Sequence, residues 1–493
     1  MSQQRPSSGT RANGIPASGS AAGSFPTTAP ASGASSAAAE GRPGPGEPDR
    51  TEPDRTEPDR TEPVKKRQVA AWAAWDWGSA AFNAVMVTFV FGTYLSSEAF
   101  GADARGTEWL SRGMAVAGII VALTAPVLGR RADQGGRRKL WLALNTAVVI
   151  AVTGLSFFVA PHEQHLLLGV VLLSIGTVFF EFAEVQINAI LVQISTPQTV
   201  GRISGIGWGA GYLGGIVLLL IVYVGFVSGD AAWFGIPHEQ SLNIRAVAVV
   251  AAVWFLVFSL PVLFAVPSPT AAQQEGTGAP AETVLGSYRA LWERLCRLWR
   301  EDRNTLKFLI ASAVFRDGVG AVFLYGGALG TTVFGIADGD VIVFAIVANV
   351  VAAAGAFAGG WLDDRFGPRA VILGSIGAMC ATAVGLFFSE GPRAFWIGGL
   401  ILCLFVGPVQ SSSRAFLGRL TTPQTAGELF GLYATTGRAV GFITPALSSV
   451  ALALTGDQRW IIPTIVLVIL AGGVLLLRVN TPRRPVEEVE PRR

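Results

Sequence analysis

The pattern of hydrophobic and polar residues changes near residue 70 and then repeats along the rest of the chain. From Ala70 onward apolar stretches recur, each about 20 residues or longer, which is enough to cross the hydrocarbon core of a bilayer as a helix. Backbone polar groups in lipid need partners within their own segment, so these stretches predict helices and not an open sheet. Twelve are predicted, at about 70–95, 107–129, 139–160, 165–194, 203–228, 245–266, 306–328, 339–362, 369–389, 394–417, 428–454 and 460–479.

The composition agrees with this pattern and excludes several classes of protein. Of the 493 residues, 51% are hydrophobic and only 14% are charged, whereas a soluble globular protein carries about 25% charged residues. The net charge of +3 is too small to indicate binding to nucleic acid. Three cysteines exclude a disulfide scaffold, and three histidines without ligand spacing predict no metal site. We therefore expect an all-α integral membrane protein without a cofactor.

The twelve predicted helices fall into two halves of six, separated by a polar linker. The N-terminal half covers 64–266, the linker 267–304 and the C-terminal half 305–480. Segment 1–63 is rich in Ala, Gly, Ser and Pro and is expected to be a disordered cytoplasmic tail. A second cytoplasmic tail is expected at 481–493. Arg and Lys concentrate before the first helix, between the second and third, and in the linker, so the positive-inside rule places both termini in the cytoplasm.

The linker ends in a segment, 287–302, whose apolar residues recur at helical spacing opposite a basic face. This pattern is typical of an amphipathic helix that lies on a membrane surface. We expect an interfacial anchor on the cytoplasmic leaflet, with a regulatory role as the alternative. The apolar residues are Leu291, Trp292, Leu295, Leu298 and Trp299.

The same phrase follows the second predicted helix of each half. GRRADQGGRR at 129–138 and GWLDDRFGPR at 360–369 both fit G-x-x-x-D-x-x-G-x-R and lie 231 residues apart. The phrase resembles the signature loop of the major facilitator superfamily, and parallel six-helix repeats describe the two halves of those transporters. Gln134 and Pro368 depart from the basic residues usual in that loop.

The resemblance implies a conformational latch at the cytoplasmic seam that does not touch substrate. Asp133 can face the N-terminal dipole of a helix in the opposite half, and the arginines can pair across the seam. The alternative is a short turn surrounded by ordinary positive-inside arginines. The expected latch residues are Gly129, Asp133, Gly136, Arg137 and Arg138 in the first copy, and Gly360, Asp364, Arg365, Gly367 and Arg369 in the second.

Three longer segments narrow the resemblance to the vacuole-effluxer-like permease branch of that superfamily. They are AWAAWDWGSAAFNAVMVTFVFGTYL (71–95), RISGIGWGAGYLGGIVLLL (202–220) and FVGPVQSSSRAFLGRLTTPQTAGELFGLY (405–433). Eukaryotic members of this branch are autophagy-related vacuolar amino-acid exporters, so the resemblance implies amino-acid efflux. Arginine far outnumbers lysine, which favours a bacterial source. Glycines of the second segment, expected to let helices approach and slide, are Gly207, Gly211, Gly214 and Gly215.

Ionisable residues inside the predicted helices are candidate functional positions, because each of them costs stability in lipid. The acids outnumber the bases, and a surplus carboxylate has to be protonated, bind a cation or meet a cationic substrate. This imbalance indicates ion coupling. The residues are Asp76 in the first helix, Glu181 and Glu184 in the fourth, Arg316 and Asp317 in the seventh, Arg414 in the tenth and Arg438 in the eleventh.

Glu181, Glu184 and Asn188 are spaced i, i+3, i+7 and therefore share one face of the fourth helix. We expect this stripe to line the bundle interior or a cavity; buried packing is the alternative. In the family an acid precedes this asparagine by seven residues. The resemblance therefore implies Glu181 as the coupling residue, with Glu184 as a local partner.

Three further positions allow two interpretations each. Asp76 either binds a proton or substrate, as the resemblance implies, or lies among headgroups beside an aromatic belt. Asp317 is expected to pair with Arg438, within the pathway or as a static tie. Gln410, with the serines that follow it, either contacts substrate or packs helices together.

The sequence as a whole predicts a secondary transporter of the bacterial plasma membrane that moves a small polar, amino-acid-like solute outward by alternating access, coupled to protons. Its expected partners are membrane lipid, solute and protons. The absence of a G-x-x-x-x-G-K loop argues against ATP, and we expect a monomer that is not an enzyme. Export of a drug or sugar is the alternative within transport. A non-transporting sensor or a lipid scramblase is the alternative from another class.

Overall fold

The computed structural model describes residues 65–101, 105–228, 233–267 and 284–481. Over these ranges the chain forms helices and no β-strand, and twelve of the helices are long and apolar enough to cross a membrane. The predicted all-α fold with twelve spans is confirmed. The predicted N-terminal tail, the first part of the linker and all but one residue of the predicted C-terminal tail lie outside the described residues.

The helices are numbered α1 to α13 in chain order, and α7 is the helix of the linker. Their bounds are α1 (Lys66–Leu95), α2 (Arg105–Gln134), α3 (Arg138–Phe158), α4 (Glu163–Ile194), α5 (Val200–Val227), α6 (Glu239–Ala265), α7 (Val284–Glu301), α8 (Arg303–Thr332), α9 (Gly339–Phe366), α10 (Pro368–Phe387), α11 (Gly391–Leu420), α12 (Ala426–Thr455) and α13 (Gln458–Leu477).

Two spans are irregular near the middle of their length. In α1 the α-helix gives way to a π-helix at Ala81–Phe89. α12 consists of two parts, Ala426–Val440 and Ile443–Thr455, separated at Gly441 and Phe442. Glycine has a weak helix propensity, and the interruption creates a second helix N-terminus with unpaired N–H groups inside the span.

Each half is built around buried aromatic side chains. In the N-terminal half, Trp75 of α1 stacks on Phe180 of α4 with ring centroids 5.9 Å apart, and its centroid lies 5.6 Å from that of Phe255 of α6. In the C-terminal half, Phe308 of α8 stacks on Phe416 of α11 at 4.3 Å. Such rings bury a large apolar area, and the apolar core that contains Phe308 and Phe416 extends into the N-terminal half, to Val121 of α2 and Phe182 of α4.

The halves meet along two seams, α5 against α9 and α2 against α12. At both seams glycine allows the backbones to approach closely. A Cβ at Gly205 of α5 would lie 2.9 Å from the Cα of Gly360 in α9, and a Cβ at Gly431 of α12 would lie 2.6 Å from the Cα of Pro126 in α2. Small residues have this role between membrane helices in general, and the two seams join equivalent helices of the two halves.

The linker helix α7 contacts both the bundle and its surroundings. Leu291 and Leu298 are buried against the bundle, whereas Trp292 and Trp299 are 68% and 61% exposed. The sequence pattern places all of these residues on one membrane-facing surface. In the structure the leucines and the tryptophans have different surroundings. The leucines pack against α2 and α8, and the tryptophans lie at the edge of this contact.

Candidate functional site

A cavity of about 730 Å³ lies between the two halves. The walls have different chemistry. The N-terminal half contributes polar and aromatic side chains: Trp75, Asp76, Ser79, Asn83, Glu184, Trp208 and Tyr212. The C-terminal half contributes mainly apolar ones, with Asn349 and Arg414 as polar exceptions: Phe323, Phe334, Phe344, Met379, Phe395 and Cys403. A solute in this cavity therefore meets charge on one side and hydrocarbon on the other.

Asp76 lies at the cavity wall and is paired across the two halves. Its Oδ2 is 3.1 Å from Nη1 of Arg414, which also donates to Oδ1 of Asn188 at 3.3 Å. Arg414 donates in addition to Oγ of Ser204 at 2.9 Å and to its carbonyl oxygen at 2.7 Å. The guanidinium carbon stands 4.8 Å from the centroid of the Trp72 ring. Arg414 thus joins α11 to α1, α4 and α5.

The headgroup alternative for Asp76 does not hold. Asp76 is only 8% exposed, and the neighbouring Trp72 and Trp75 are 0% and 1% exposed, so these tryptophans form no interfacial belt. Burial of a carboxylate requires a partner, and Arg414 supplies it.

Gly207 leaves the space that this ion pair occupies. A Cβ at this position would collide with Oδ2 of Asp76 and lie 2.6 Å from Nη2 of Arg414 and 2.6 Å from the Trp72 ring. Gly214 instead allows α5 to approach Trp77 of α1, whose Cγ would lie 2.9 Å from the added atom. Gly211 and Gly215 are less crowded, since a Cβ there would meet nothing closer than 3.5 Å and 3.4 Å.

The two glutamates of the stripe on α4 have different surroundings. Glu181 forms an ion pair with Arg438 of α12 and so connects the two halves a second time. Glu184 lines the cavity and makes no hydrogen bond or ion pair with the residues that the structure describes. Of the two glutamates, Glu184 is therefore the one that borders the cavity, whereas Glu181 is held by Arg438.

The expected pair between Asp317 and Arg438 is wrong. Oδ2 of Asp317 accepts hydrogen bonds from the backbone N of Thr444 at 2.8 Å and from its Oγ1 at 2.6 Å. Thr444 lies in the first turn of the second part of α12, where unpaired N–H groups and the helix dipole favour an anion. The break in α12 creates this partner, and hydropathy does not reveal such a break.

The charge imbalance noted in the sequence is also resolved in part. With Asp317 bound to a helix N-terminus, the remaining interior acids and arginines are equal in number: Asp76, Glu181 and Glu184 against Arg316, Arg414 and Arg438.

Arg316 and Phe323 lie two turns apart on the same face of α8, and Phe323 lines the cavity. The guanidinium carbon of Arg316 is 3.8 Å from the centroid of Tyr433, and its Nη1 has no hydrogen-bond partner among the described residues.

Gln410 and the serine patch lie outside the cavity lining. Ser411, Ser412 and Ser413 are fully buried. The carbonyl oxygen of Ser411 accepts from Ser204, and Oγ of Ser413 lies 2.7 Å from the hydroxyl of Tyr433. These contacts favour the helix-packing interpretation of the patch.

Asp133 is bound at one end of the bundle by the start of a helix from the opposite half. It accepts from the backbone N of Gly427 at 3.1 Å and of Glu428 at 2.9 Å, in the first turn of α12. Nη2 of Arg138 lies 2.5 Å from Oδ1 of Asp133, and the same guanidinium reaches the carbonyl oxygen of Pro423 across the seam. A Cβ at Gly129 would collide with Gly427.

The second copy of the motif repeats this arrangement. Asp364 of α9 accepts from the backbone N of Gly201 at 2.9 Å and of Arg202 at 3.2 Å, in the first turn of α5. Arg419 contacts Asp364 at 3.3 Å, forms an ion pair with the buried Asp363, and donates to the carbonyl oxygen of Pro197. Each aspartate of the repeat therefore binds the first turn of the helix from the opposite half that packs against its own helix.

Asp363 and Arg419 were not predicted from the sequence. A signal for this region exists, because the phrase T-P-Q-T-x-G occurs at 196–201 and again at 422–427. Each copy ends at the glycine whose N–H binds one of the motif aspartates. Each half therefore contributes one motif aspartate and one T-P-Q-T-x-G segment, and each aspartate binds the segment of the other half.

The remaining motif residues do not all cross the seam. Arg137 and Arg365 are exposed, and Nη2 of Arg369 donates to the carbonyl oxygen of Leu477 within its own half at 2.6 Å. Gly136 and Gly367 have φ angles of 59° and 87°, a region that favours glycine, so they shape the turns. Across the seam, Arg138 reaches the carbonyl oxygen of Pro423, and Nη1 of Arg130 lies 4.0 Å from Oε2 of Glu428.

Comparison with known proteins identifies relatives at the level of family and fold. The family model described as vacuole effluxer Atg22-like matches residues 110–489. The MFS-type transporter YxiO of Bacillus subtilis is 26% identical over 409 residues, which cover 82% of this chain and 93% of YxiO. Autophagy-related protein 22-1 of Aspergillus niger is 24% identical over 300 residues, covering 57% of this chain and only 47% of the fungal protein.

Solved structures with the same fold include major facilitator transporters. FucP in its outward conformation gives a TM-score of 0.63 at 15% identity and covers 85% of this chain and 99% of FucP. The proton:xylose symporter XylE, bound to 6-bromo-6-deoxy-D-glucose, also gives 0.63 at 15% identity, with 84% and 95% covered. At this level of identity the likeness extends to the fold alone.

Proposed function

The chain belongs to the vacuole effluxer Atg22-like family of major facilitator transporters, and from that premise we propose that it exports a small amine-bearing solute of the amino-acid class in exchange for protons. The protein is an integral membrane transporter. The observation that carries the proposal is Glu184, a carboxylate in the wall of a cavity between the two halves that has no hydrogen-bond or ion-pair partner among the described residues.

An unpartnered carboxylate in such a cavity is stable only when it is protonated or meets a cation. Glu184 can therefore alternate between a proton and the ammonium group of a solute. Competition between these two ligands for one carboxylate would couple solute movement to proton movement in the opposite direction. This exchange requires no residue other than Glu184 to change partner in the binding step.

The cavity lining supports an amine with an apolar body over a sugar. Each hydroxyl of a sugar needs a hydrogen-bond partner after it leaves water, because an unpaired buried polar group costs about 1–3 kcal/mol. The wall from the C-terminal half offers mainly Phe323, Phe344 and Phe395. An aliphatic or aromatic side chain fits this wall, and an ammonium group fits the opposite one. Arg316, with an unused donor two turns below Phe323, is a candidate partner for a carboxylate.

We propose that transport proceeds by alternating access, and the position of the seams supports this. Both T-P-Q-T-x-G loops and both motif aspartates lie at one end of the bundle and close the cavity there. We propose that this end is cytoplasmic in a bacterial plasma membrane, because the basic residues of the α2–α3 loop lie there. The cavity then faces outward, both termini are cytoplasmic, and a single chain contains the complete pathway.

Counterflow in proteoliposomes tests the proposal. The purified chain would be assayed with a panel of radiolabelled amino acids, amines and sugars, with and without an imposed pH gradient. We expect counterflow of at least one amine-bearing solute, dependence on the gradient, and loss of that dependence in Glu184→Gln. Glu184→Asp keeps the charge and is the matched control.

Other outcomes would favour the alternatives. Movement of labelled lipid without a solute gradient would indicate a scramblase. No movement of solute, proton or lipid would contradict transport and favour a sensor. Counterflow of a sugar or of an uncharged drug that persists in Glu184→Gln would contradict the assigned substrate class.

A further inference from the structure

The cavity between the two halves extends into the interior of the C-terminal half. Its lining includes Met379, Cys380 and Ala383 of α10 and Ile465 and Ile469 of α13, although these helices pack mainly on α11 and α8 of their own half. The corresponding helices of the N-terminal half are α3 and α6, and none of their described residues lines the cavity. We call the part of the cavity bounded by these five side chains the side pocket.

Aromatic side chains account for the difference between the halves. In the N-terminal half Trp75 and Phe180 line the cavity and cover Phe255 of α6, with ring centroids 5.6 Å and 6.3 Å from that of Phe255. The repeated T-P-Q-T-x-G phrase aligns Phe180 with Val406 of α11. The smaller valine leaves space in the C-terminal half that an aromatic ring fills in the N-terminal half.

The wall of the side pocket on α10 and α13 is apolar. The side chains that these helices contribute to the cavity lining contain no oxygen, nitrogen or charge, and Met379, Ala383, Ile465 and Ile469 are buried. A cavity with such walls offers no hydrogen bonds to water and binds apolar groups instead. Each methylene group that leaves water for such a site therefore adds to the affinity of its molecule.

The side pocket lies at the same depth in the bundle as Glu184. At 1.5 Å per residue, Glu184 is about 15 Å from the end of α4 that lies near the motif aspartates. On the same scale Met379 is about 17 Å, and Ile469 about 12 Å, from the corresponding ends of α10 and α13. An ammonium group at Glu184 can therefore belong to a molecule whose apolar end lies sideways in the side pocket.

We propose that the side pocket receives the apolar end of the solute, and that Ala383 determines how long this end can be. This inference rests on the proposed function, in which the ammonium group of the solute binds Glu184. Ala383 is the smallest side chain that α10 and α13 contribute to the lining, so a larger residue there takes space from the solute. A solute long enough to reach the side pocket contacts both halves, whose relative movement alternating access requires.

A homologous series of amino acids tests the side pocket. L-Alanine, L-α-aminobutyrate, L-norvaline and L-norleucine share their ammonium and carboxylate groups and differ by one methylene at each step. Each would compete with radiolabelled L-norleucine for counterflow by the full-length chain in proteoliposomes. A buried methylene contributes about 0.8 kcal/mol, or about fourfold in affinity. We expect norleucine to compete about sixtyfold more tightly than alanine.

Ala383→Leu should remove most of this difference. It adds as many carbon atoms to the wall as distinguish norleucine from alanine, so the ratio should fall to about fourfold or less. Ala381→Leu is the matched control, because Ala381 is exposed on the same helix outside the lining, and it should keep the ratio. A loss of folded protein lowers the transport rate for all four solutes alike and leaves the ratio unchanged.

Met379→Ala tests the side pocket in the opposite direction. It enlarges the pocket one helical turn from Ala383. L-α-Aminoheptanoate is one methylene longer than norleucine, and it should compete better, relative to norleucine, in this variant than in the unmodified chain.

Two results would overturn this assignment while counterflow that depends on pH through Glu184 left the proposed function intact. They are equal competition by the four amino acids in the unmodified chain, and a ratio in Ala383→Leu that matches the ratio in Ala381→Leu. Absence of counterflow for all four would overturn the assignment as well. The proposed function would then fail with it only if the wider panel of amines were not moved either.

Discussion

Arg414 of α11 and Asp76 of α1 form a buried ion pair between the two halves, with 3.1 Å between Nη1 and Oδ2. Alternating access requires relative movement of these halves. Movement of α11 away from α1 would separate two charged side chains that are only 5% and 11% exposed in this arrangement. The pair therefore stabilises the state in which the motif aspartates close the seams, and the alternating access proposed above would have to exchange it for other contacts.

Removing one partner of this pair should destabilise the fold strongly. A buried pair broken on one side costs about 3–5 kcal/mol, because the remaining charge stays buried. We expect Asp76→Asn and Arg414→Gln each to lower the melting temperature measured in detergent. The double variant should lose less than the sum of the single losses. Strictly additive losses would show that the two side chains do not interact in the folded protein.

Gly207 should tolerate no side chain, for a reason unrelated to helix sliding. Alanine here places a methyl group against Asp76, Arg414 and Trp72, and overpacking of this kind costs about 1–3 kcal/mol. We expect Gly207→Ala to lower the melting temperature, whereas Gly211→Ala, on the same helix and with no contact closer than 3.5 Å, should not. Equal behaviour of the two variants in thermal unfolding would contradict this account.

The spans were predictable from the sequence because a helix that crosses a bilayer needs only length and apolarity. The position of Glu181, Glu184 and Asn188 on one face of α4 follows from the helical period, and all three are oriented toward the interior or the seam in the structure. These properties are local, so one segment of sequence contains them.

Partners across the halves were not predictable in the same way. Asp317 binds Thr444 and not Arg438 because α12 breaks at Gly441, and a hydropathy profile treats α12 as continuous. Asp363 depends on Arg419, which lies on another span. The partners of Asp133 and Asp364 are an exception, because they could be predicted. The T-P-Q-T-x-G phrase is repeated in the sequence, and each copy precedes a helix whose first turn binds one of these aspartates.

The two seams should open independently at the first turns of their helices. Asp133→Asn weakens the acceptor for Gly427 and Glu428, and Asp364→Asn weakens the acceptor for Gly201. Loss of an N-terminal cap costs about 0.5–2 kcal/mol, and about 1.4 kcal/mol corresponds to a tenfold change. Hydrogen exchange should therefore accelerate by about twofold to thirtyfold at the start of α12 in the first variant and of α5 in the second.

Each of these variants serves as the control for the other, and Arg137→Gln, at an exposed motif position, should change neither helix. Acceleration at both helices in either variant would show that the seams open together. In that case the aspartates would report one global transition and not two separate caps.

Glu181 and Glu184 should respond differently to the same substitution. Glu181→Gln leaves Arg438 without its ion-pair partner, and because Arg438 is 39% exposed the loss should be about 1 kcal/mol or less. Counterflow by this variant should retain its dependence on pH. Glu184→Gln removes a carboxylate that pairs with none of the residues the structure describes, so the melting temperature should stay the same or rise while the pH dependence disappears. The melting temperature and the pH dependence of counterflow can be measured on the same preparations.

Loss of pH dependence in Glu181→Gln alone would assign proton coupling to the ion pair between Glu181 and Arg438. Coupling would then depend on breaking a contact between the halves and not on a carboxylate that lines the cavity.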